Sequence, residues 1–251
     1  MNYFVLLSRL ALLLGVVILP IAAAAQDAKI FAEVIYTYTD DSAAIFQRIE
    51  ELRRDKPKYY ARTANHLRDQ YYVTRTLEFQ LQFDRKRSVF GLRPQLRLDP
   101  ENARLYDLAV LFTRADRRYA LDQATGDRRY ERPTTAGDSL YHVIEPYVKY
   151  DWQLHDTTQA VAGYSCRKAT YEYTFVDLDD VEKRVHVTAW YAPDLPYPYG
   201  PAGYDGLPGL ILELTFVLNQ ARTYRATSVR IDQNSSERVP ELGLADRVIE
   251  R

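Results

Sequence analysis

A glycine- and proline-rich loop that turns directly into an apolar strand constrains this chain more than any other stretch. Residues 192–209 contain five of the chain's 12 prolines and four of its 10 glycines, together with three tyrosines. Each proline lacks the main-chain N–H that helices and sheets use as a hydrogen-bond donor, and each glycine makes the backbone more flexible. The segment can therefore form neither a helix nor a central strand. Apolar side chains then alternate along one face of a predicted strand: Leu210, Leu212, Leu214, Phe216 and Leu218. The pattern predicts a long ordered loop packed onto a core strand.

The junction between loop and strand has the spacing of a tight turn. Gly206 and Gly209 bracket the pair Leu207 and Pro208, and Leu210 and Ile211 follow at once. Only glycine adopts positive φ without a steric penalty, so we predict positive φ at one or both of these glycines.

The N-terminus has the pattern of a secretory signal peptide. Arg9 precedes an apolar run over residues 10–21, and Ala23 and Ala25 supply the small residues expected before a cleavage site. We predict a signal peptide over residues 1–25 and a single β-rich domain over residues 26–251. The cleavage site lacks a lipid-acceptor cysteine, and no later apolar run approaches the roughly 18 residues of a membrane helix. The expected location is therefore the periplasm or the exterior, with no transmembrane segment in the mature chain.

Charge and cysteine content exclude several classes of partner and bond. Lysine and arginine total 33 against 34 acidic residues, a balance that argues against a nucleic-acid partner. The one cysteine, Cys166, excludes an internal disulfide and is expected to be a buried apolar residue.

Alternating patterns predict a mainly β (α+β) fold. In the first half we predict a strand over residues 30–38, one helix from the capping residues at 40–42 to Pro57, and a long strand over residues 71–83. A strand near 88–92, a hairpin over 118–131 and a strand over 147–154 follow, while residues 105–113 fit a strand or a helix. A hairpin over 166–191, the strand from Leu210 and a return strand over 224–231 complete the set, before a polar tail beyond Asn234 that we expect to be loosely held. We expect one domain of antiparallel strands, forming a curved sheet or open barrel with one N-terminal helix packed against it.

Three ordered motifs in the second half resemble those of a known family. Gly206 to Ile211 is similar to the signature of the GLPGLI family, extracytoplasmic proteins of Gram-negative bacteria. Residues 163–169 resemble that family's Gly-Tyr-x-Cys-x-Lys-Ala element, and residues 189–193 resemble its aromatic-proline segment. The chain departs from the family pattern in a long acidic turn over residues 177–183. The resemblance implies an exported β-rich protein and names no activity.

None of the usual catalytic or metal-binding signatures is present. The four histidines, His66, His142, His155 and His186, have no ligand spacing, and neither a Gly-x-Ser-x-Gly elbow nor a nucleotide-binding glycine motif occurs. We therefore predict no metal and no cofactor. A catalytic site formed by two carboxylates that are distant in the sequence remains an alternative.

One local cluster has binding character: Trp190, Tyr191, Tyr197, Tyr199 and Tyr204. The same aromatic residues could instead pack the loop onto the sheet. We predict an envelope protein without catalytic activity that binds an apolar or extended ligand, or docks another envelope protein. The alternative is a hydrolase whose site is assembled from distant residues.

Overall fold

The computed structural model describes residues 30–94, 100–113, 115–133, 140–145, 149–177, 179–218, 220–242 and 247–250. The predicted signal peptide over residues 1–25 lies outside these residues. The strands are β1 (Ile30–Asp40), β2 (Glu78–Phe83), β3 (Arg87–Leu92), β4 (Arg118–Asp122), β5 (Asp127–Pro133), β6 (Leu140–Glu145), β7 (Gln153–Val161), β8 (Tyr164–Val176), β9 (Glu182–Ala192), β10 (Leu210–Val217), β11 (Ala221–Gln233) and β12 (Arg247–Glu250).

The described strands form one open sheet in the order β12-β6-β5-β4-β3-β2-β1-β11-β10-β9-β8-β7. Neighbouring strands are antiparallel, except that β12 runs parallel to β6. The mainly β prediction of antiparallel strands is confirmed. The described strands are not closed into a barrel, since the sheet has β12 at one edge and β7 at the other.

Three helices, not one, occur in the described residues: α1 (Ser42–Asp55), α2 (Pro57–Thr74) and α3 (Pro100–Thr113). The predicted N-cap is present, since the Asp41 side chain accepts the main-chain N–H of Ala43 at 2.9 Å. Pro57 follows α1 and occupies the first turn of α2. Main-chain N–H groups in the first turn have no acceptor within the helix, so proline is tolerated there and a second helix begins at Pro57. No helix of the described residues combines the length and hydropathy needed to span a membrane.

The predicted strand over residues 71–83 is wrong in its first half. Ala64, Tyr71 and Thr74 are buried on one side of α2. Ala64 and Tyr71 are about two helical turns apart, and Tyr71 and Thr74, three residues apart, are neighbours on the helix surface. Only Glu78–Phe83 is strand, and there the alternation holds, with Phe79, Leu81 and Phe83 buried.

One face of the sheet holds the aromatic core. Along β1, Ala32, Val34, Tyr36 and Tyr38 are all at most 1% exposed. The rings of Phe79 and Phe90 stack nearby at 5.6 Å, and Tyr224 packs edge-on against both. The same buried cluster includes one residue of α3, Ala109, and three of the loop before β10: Leu195, Tyr199 and Leu207. Helix α3 and the loop thus cover this face.

Two other predictions need correction. Residues 149–152, part of the strand predicted over 147–154, have no regular structure, and β7 begins only at Gln153. Residues 235–242 are not loosely held as expected, because Val239 is buried against Phe31 and Val89 on the sheet face opposite the aromatic core. Strands β6 and β12 were not predicted, and β7 was predicted only at its first two residues, since these strands are short or polar and depend on their neighbours for pairing.

Candidate functional site

The glycine- and proline-rich loop is fixed to the sheet through its main chain. The N–H of Leu210 donates to the carbonyl of Leu195 at 2.9 Å, and the N–H of Ile211 donates to Tyr199 at the same distance. Within the loop, the N–H of Gly206 donates to the carbonyl of Pro198 at 3.0 Å. The segment is therefore an ordered part of the fold.

The two glycines of the turn are required for different reasons. Gly206 has φ of 83° and open space around the position of a Cβ atom, so its requirement is conformational. Gly209 lies outside the positive-φ residues, but a Cβ there would meet the carbonyl group of Ala192, with the carbon at 2.7 Å. The prediction of positive φ is confirmed at Gly206, while close backbone approach explains Gly209.

A buried ion pair anchors the loop to the distant strand β5. Arg128 of β5 donates Nη2 to both carboxylate oxygens of Asp205 at 2.9 Å, and the two side chains are 9% and 4% exposed. The indole N–H of Trp152 donates to the main-chain carbonyl of Asp205 at 2.9 Å. Burial raises the pKa of Asp205, and the charge and hydrogen bonds of Arg128 partly oppose that rise.

The five aromatic residues singled out in the sequence do not form one cluster. Tyr191 and Tyr199 are buried in the core, and Tyr197 is half-buried with its ring 5.0 Å from that of Phe83. Trp190 of β9 pairs in register with Glu213 of β10 and is half-buried. Tyr204 meets other aromatic rings outside this set.

Those rings form what we call the aromatic strip, which comprises Tyr150, Trp152, Tyr171, Tyr173, Phe175 and Tyr204. Tyr204 stacks on Tyr150 at 5.0 Å between ring centroids, and Tyr150 meets Tyr171 at 5.2 Å. Tyr171 stacks on Tyr173 at 5.8 Å, and Tyr173 lies 6.4 Å from Phe175. Alternation along 171–175 signalled the strand part, whereas nothing in the sequence placed Tyr150 and Trp152 beside it.

The strip runs from a buried end to an exposed end. At the buried end, the guanidinium of Arg128 lies 4.7 Å from the ring centroid of Tyr150. The pKa of Tyr204 is raised mainly by burial, and to a smaller extent by the neighbouring Tyr173 and Tyr150. At the other end Tyr173 is 36% and Phe175 40% exposed, and Val176 beside them is 63% exposed.

The exposed end of the strip lies where β8 has one neighbouring strand among the described residues. Pairing of β8 with β7 stops at Thr170, opposite Gln153, whereas pairing with β9 continues to Val176, opposite Glu182. Among the described residues, Tyr171–Val176 therefore has a strand partner on one side only.

A second candidate location is a cavity of about 440 Å³ on the opposite face, between strands β3 to β6 and the segment 239–242. Its lining includes His142, whose Nε2 lies 3.5 Å from a carboxylate oxygen of Glu131. Glu131 is buried and also accepts a hydrogen bond from Nη1 of Arg118 at 2.8 Å. In the described part of the chain, this group of His142, Glu131 and Arg118 is the histidine-containing cluster that most resembles a general acid–base site.

Cys166 lies in neither place. Its side chain is fully buried, and burial raises the pKa of the thiol to about 11. Within the ranges that the structure describes, no three His, Cys, Asp or Glu side chains come together in a way that could hold a metal ion.

Comparisons with known proteins bear mainly on the loop. Residues 176–213 match the model of a family described as "Protein of unknown function (Porph_ging)", and the match spans the loop and Gly206 to Ile211. No curated protein matches the chain. Two solved structures of PNGF-II, in space groups C2 and P21, are similar with TM-scores of 0.46 and 0.48, each at 12% identity. The alignments cover 89% and 88% of this chain, which spans 31% of each PNGF-II chain.

Proposed function

We propose that this chain is an exported, non-catalytic binding protein whose aromatic strip holds an extended ligand. The observation that supports it is the exposure of Tyr173 and Phe175 at the open end of a continuous row of rings. Rings in the core of a protein are enclosed, whereas exposed contiguous rings are typical of surfaces that bind another molecule.

The geometry of the strip favours an extended ligand over a compact one. Tyr171, Tyr173 and Phe175 follow one another at every second residue of β8, so their rings project in a line along the strand. The Asp205–Arg128 pair and the loop hold the buried end in place. A rigid line of rings loses little conformational entropy when a ligand binds.

The sequence resemblance supports export and family membership as further parts of the proposal. The signature from Gly206 to Ile211 lies inside the matched segment 176–213. We propose that the chain is a GLPGLI-type envelope protein located in the periplasm or outside the cell, with the loop serving to position the strip.

Trp152 offers a direct test, because the chain has only two tryptophans. In a Trp190→Phe background, Trp152 of the strip is the one indole fluorophore. We expect its emission to change on titration with at least one of three extended probes: a linear peptide of alternating valine and threonine, cellohexaose, or dodecanoate.

The double variant Tyr173→Ala/Phe175→Ala in the same background should abolish the change. The matched control is Tyr59→Ala, which removes a 61% exposed ring on α2 away from the strip. Absence of binding by all three probes at millimolar concentration, or unchanged binding by the double variant, would overturn the proposal.

A hydrolase is the second candidate, and it depends on the cluster of Glu131, Arg118 and His142 beside the cavity. A carboxylate next to an imidazole is a general acid–base arrangement. Turnover of ester, amide or glycoside substrates that is lost in His142→Ala, in a protein that stays folded, would favour this candidate over the binding protein.

A further inference from the structure

Within the part of the chain that the structure describes, β8 has an unpaired edge over Tyr171–Val176, and this edge restricts which extended ligand the strip can hold. This inference depends on the proposed function. At an unpaired strand edge, every second residue leaves its main-chain N–H and C=O without a strand partner, and proteins commonly protect such edges with charged side chains, above all lysine, with proline or with a bulge. Tyr171–Val176 contains neither lysine nor proline, and Phe175 and Val176 are 40% and 63% exposed. Its one charged side chain, Glu172, is already paired with His186, whose Nδ1 lies 2.5 Å from Oε1 of Glu172. Among the described residues, the edge therefore has no strand partner and exposes apolar side chains at Phe175 and Val176.

An extended polypeptide is the ligand that matches both features. It supplies main-chain N–H and C=O groups at the repeat of the strand edge, and its alternate side chains reach one face of the sheet. A lipid chain or an oligosaccharide would cover the rings of Tyr173 and Phe175 but leave the main-chain groups of β8 without strand pairing.

The charge around this edge favours a basic peptide. Residues 172–184, from β8 through the turn into β9, contain five acidic residues and two basic ones: Glu172, Asp177, Asp179, Asp180 and Glu182 against Lys183 and Arg184. One of the bases, Lys183, already lies 3.6 Å from Asp177. The hairpin tip therefore has net negative charge beside exposed rings.

We propose that a basic, extended segment of a partner protein adds to the sheet as a strand along Tyr171–Val176. Its apolar side chains lie on Tyr173 and Phe175, and a lysine or arginine faces the acidic turn. The recognition mode is strand addition, with affinity from main-chain hydrogen bonds and selectivity from alternate side chains and charge.

The test uses a pair of peptides and the Trp152 fluorescence of the Trp190→Phe protein. The basic peptide is acetyl-Lys-Val-Thr-Val-Thr-Val-Lys-amide, and its acidic twin has glutamate in place of both lysines. We expect the basic peptide to bind at least tenfold more tightly at low salt, with the difference shrinking as salt screens the charges.

Strand addition has a further signature that a hydrophobic or purely electrostatic contact lacks. The main-chain nitrogens of the peptide are methylated one at a time. Methylation should abolish peptide binding at every second position, where the N–H faces β8, and should have no effect on binding at the intervening positions. The double variant Asp179→Asn/Asp180→Asn should reduce the preference for the basic peptide at least threefold. Residue 180 has φ of 56°, a left-handed conformation that asparagine adopts as readily as aspartate, so the double variant preserves the turn.

The outcomes separate this inference from the proposed function. Binding of cellohexaose or dodecanoate without binding of the peptide overturns strand addition and leaves the aromatic-strip proposal standing. Equal sensitivity to methylation at all positions, or equal affinity for the acidic peptide, also overturns it. A concentration-dependent dimer in sedimentation, dispersed by Val176→Lys, would assign the edge to a second copy of the chain and overturn it as well.

Discussion

The hydroxyl of Tyr36 donates a buried hydrogen bond to the main-chain carbonyl of Ile211, 2.7 Å away. The contact joins the first strand to the last residue of the signature, 175 positions along the chain. Burial, and to a lesser extent Cys166, raises the pKa of the Tyr36 hydroxyl, so it stays a donor over the accessible pH range. The turn and the N-terminal strand are thus parts of one buried arrangement.

Removing this hydroxyl should be costly, and another buried tyrosine provides the control. Tyr36→Phe leaves the Ile211 carbonyl without this donor, for which we expect a loss of about 1–3 kcal/mol in the free energy of unfolding. The hydroxyl of Tyr199 is buried without a hydrogen-bond partner among the described residues, so Tyr199→Phe should be neutral or slightly stabilising. Urea denaturation of both variants tests the pair, and equal destabilisation would contradict it.

The two glycines of the turn should respond differently to alanine. Gly206→Ala imposes strain only, because φ is 83° and the space is open, and we expect a cost of about 1 kcal/mol. Gly209→Ala places a methyl group against the carbonyl of Ala192 and requires the backbone of the strand junction to move. Thermal unfolding should show a clearly larger loss for Gly209→Ala, and the reverse order would refute the close-approach explanation.

The buried pair Arg128–Asp205 should behave as a coupled unit. Asp205→Asn or Arg128→Met alone removes one half of the ion pair and leaves the opposite charge buried, at an expected cost of about 3–5 kcal/mol. The double variant should lose less than the sum of the two, and a double-mutant cycle measures the difference. Additive losses would show that the two side chains are not energetically coupled and would contradict the prediction.

The pH dependence of the same pair has a definite sign. Because burial raises the pKa of Asp205, the folded protein binds this proton more readily than the unfolded chain does. The contribution of this group to stability therefore falls as pH rises through the window above the ordinary value of 3.8. Asp205→Asn should remove that part of the slope when unfolding free energies are compared over acidic pH.

Cys166 should react slowly with a thiol reagent in the native state and rapidly in denaturant, because the side chain is buried and the pKa of the thiol is raised to about 11. Between the ordinary value of 9.0 and about 11, the unfolded chain loses the proton while the folded protein keeps it. Stability contributed by this group therefore falls as pH rises through that window. Cys166→Ala should lessen alkaline destabilisation, and fast native labelling would contradict burial.

The proposed export is tested on protein recovered from the periplasm or culture medium of the native host. Intact-mass analysis should give a chain that begins at Gln26 or within a residue or two, without a lipid. A mass that retains residues 1–25 would argue against processing.

The sequence by itself determined those elements whose signal is local. Alternation predicted β1, the β8–β9 hairpin and β10, because a half-buried strand imposes a period of two on its own side chains. The capping oxygen of Asp41 predicted the start of α1, and the glycine spacing predicted the turn at Gly206. In each case the residues that carry the signal are the residues that form the element.

Tertiary structure decided everything that depends on distant partners. Residues 71–74 fit both a strand period and the last turn of α2, and packing of Tyr71 and Thr74 on the inner side of that helix selects the helix. The polar strand β7 has little burial of its own and exists through its pairing with β8.

The candidate site belongs to this second class. Tyr150, Tyr171 and Tyr204 come from three separate segments. Only the fold brings the rings of Tyr171 and Tyr204 to centroid distances of 5.2 and 5.0 Å from the ring of Tyr150. The five aromatic residues chosen from the sequence were selected by their proximity along the chain, and the sheet directs them into different surroundings. Sequence spacing reports contacts over a few residues, whereas a binding surface depends on which strands become neighbours and where an edge is left unpaired.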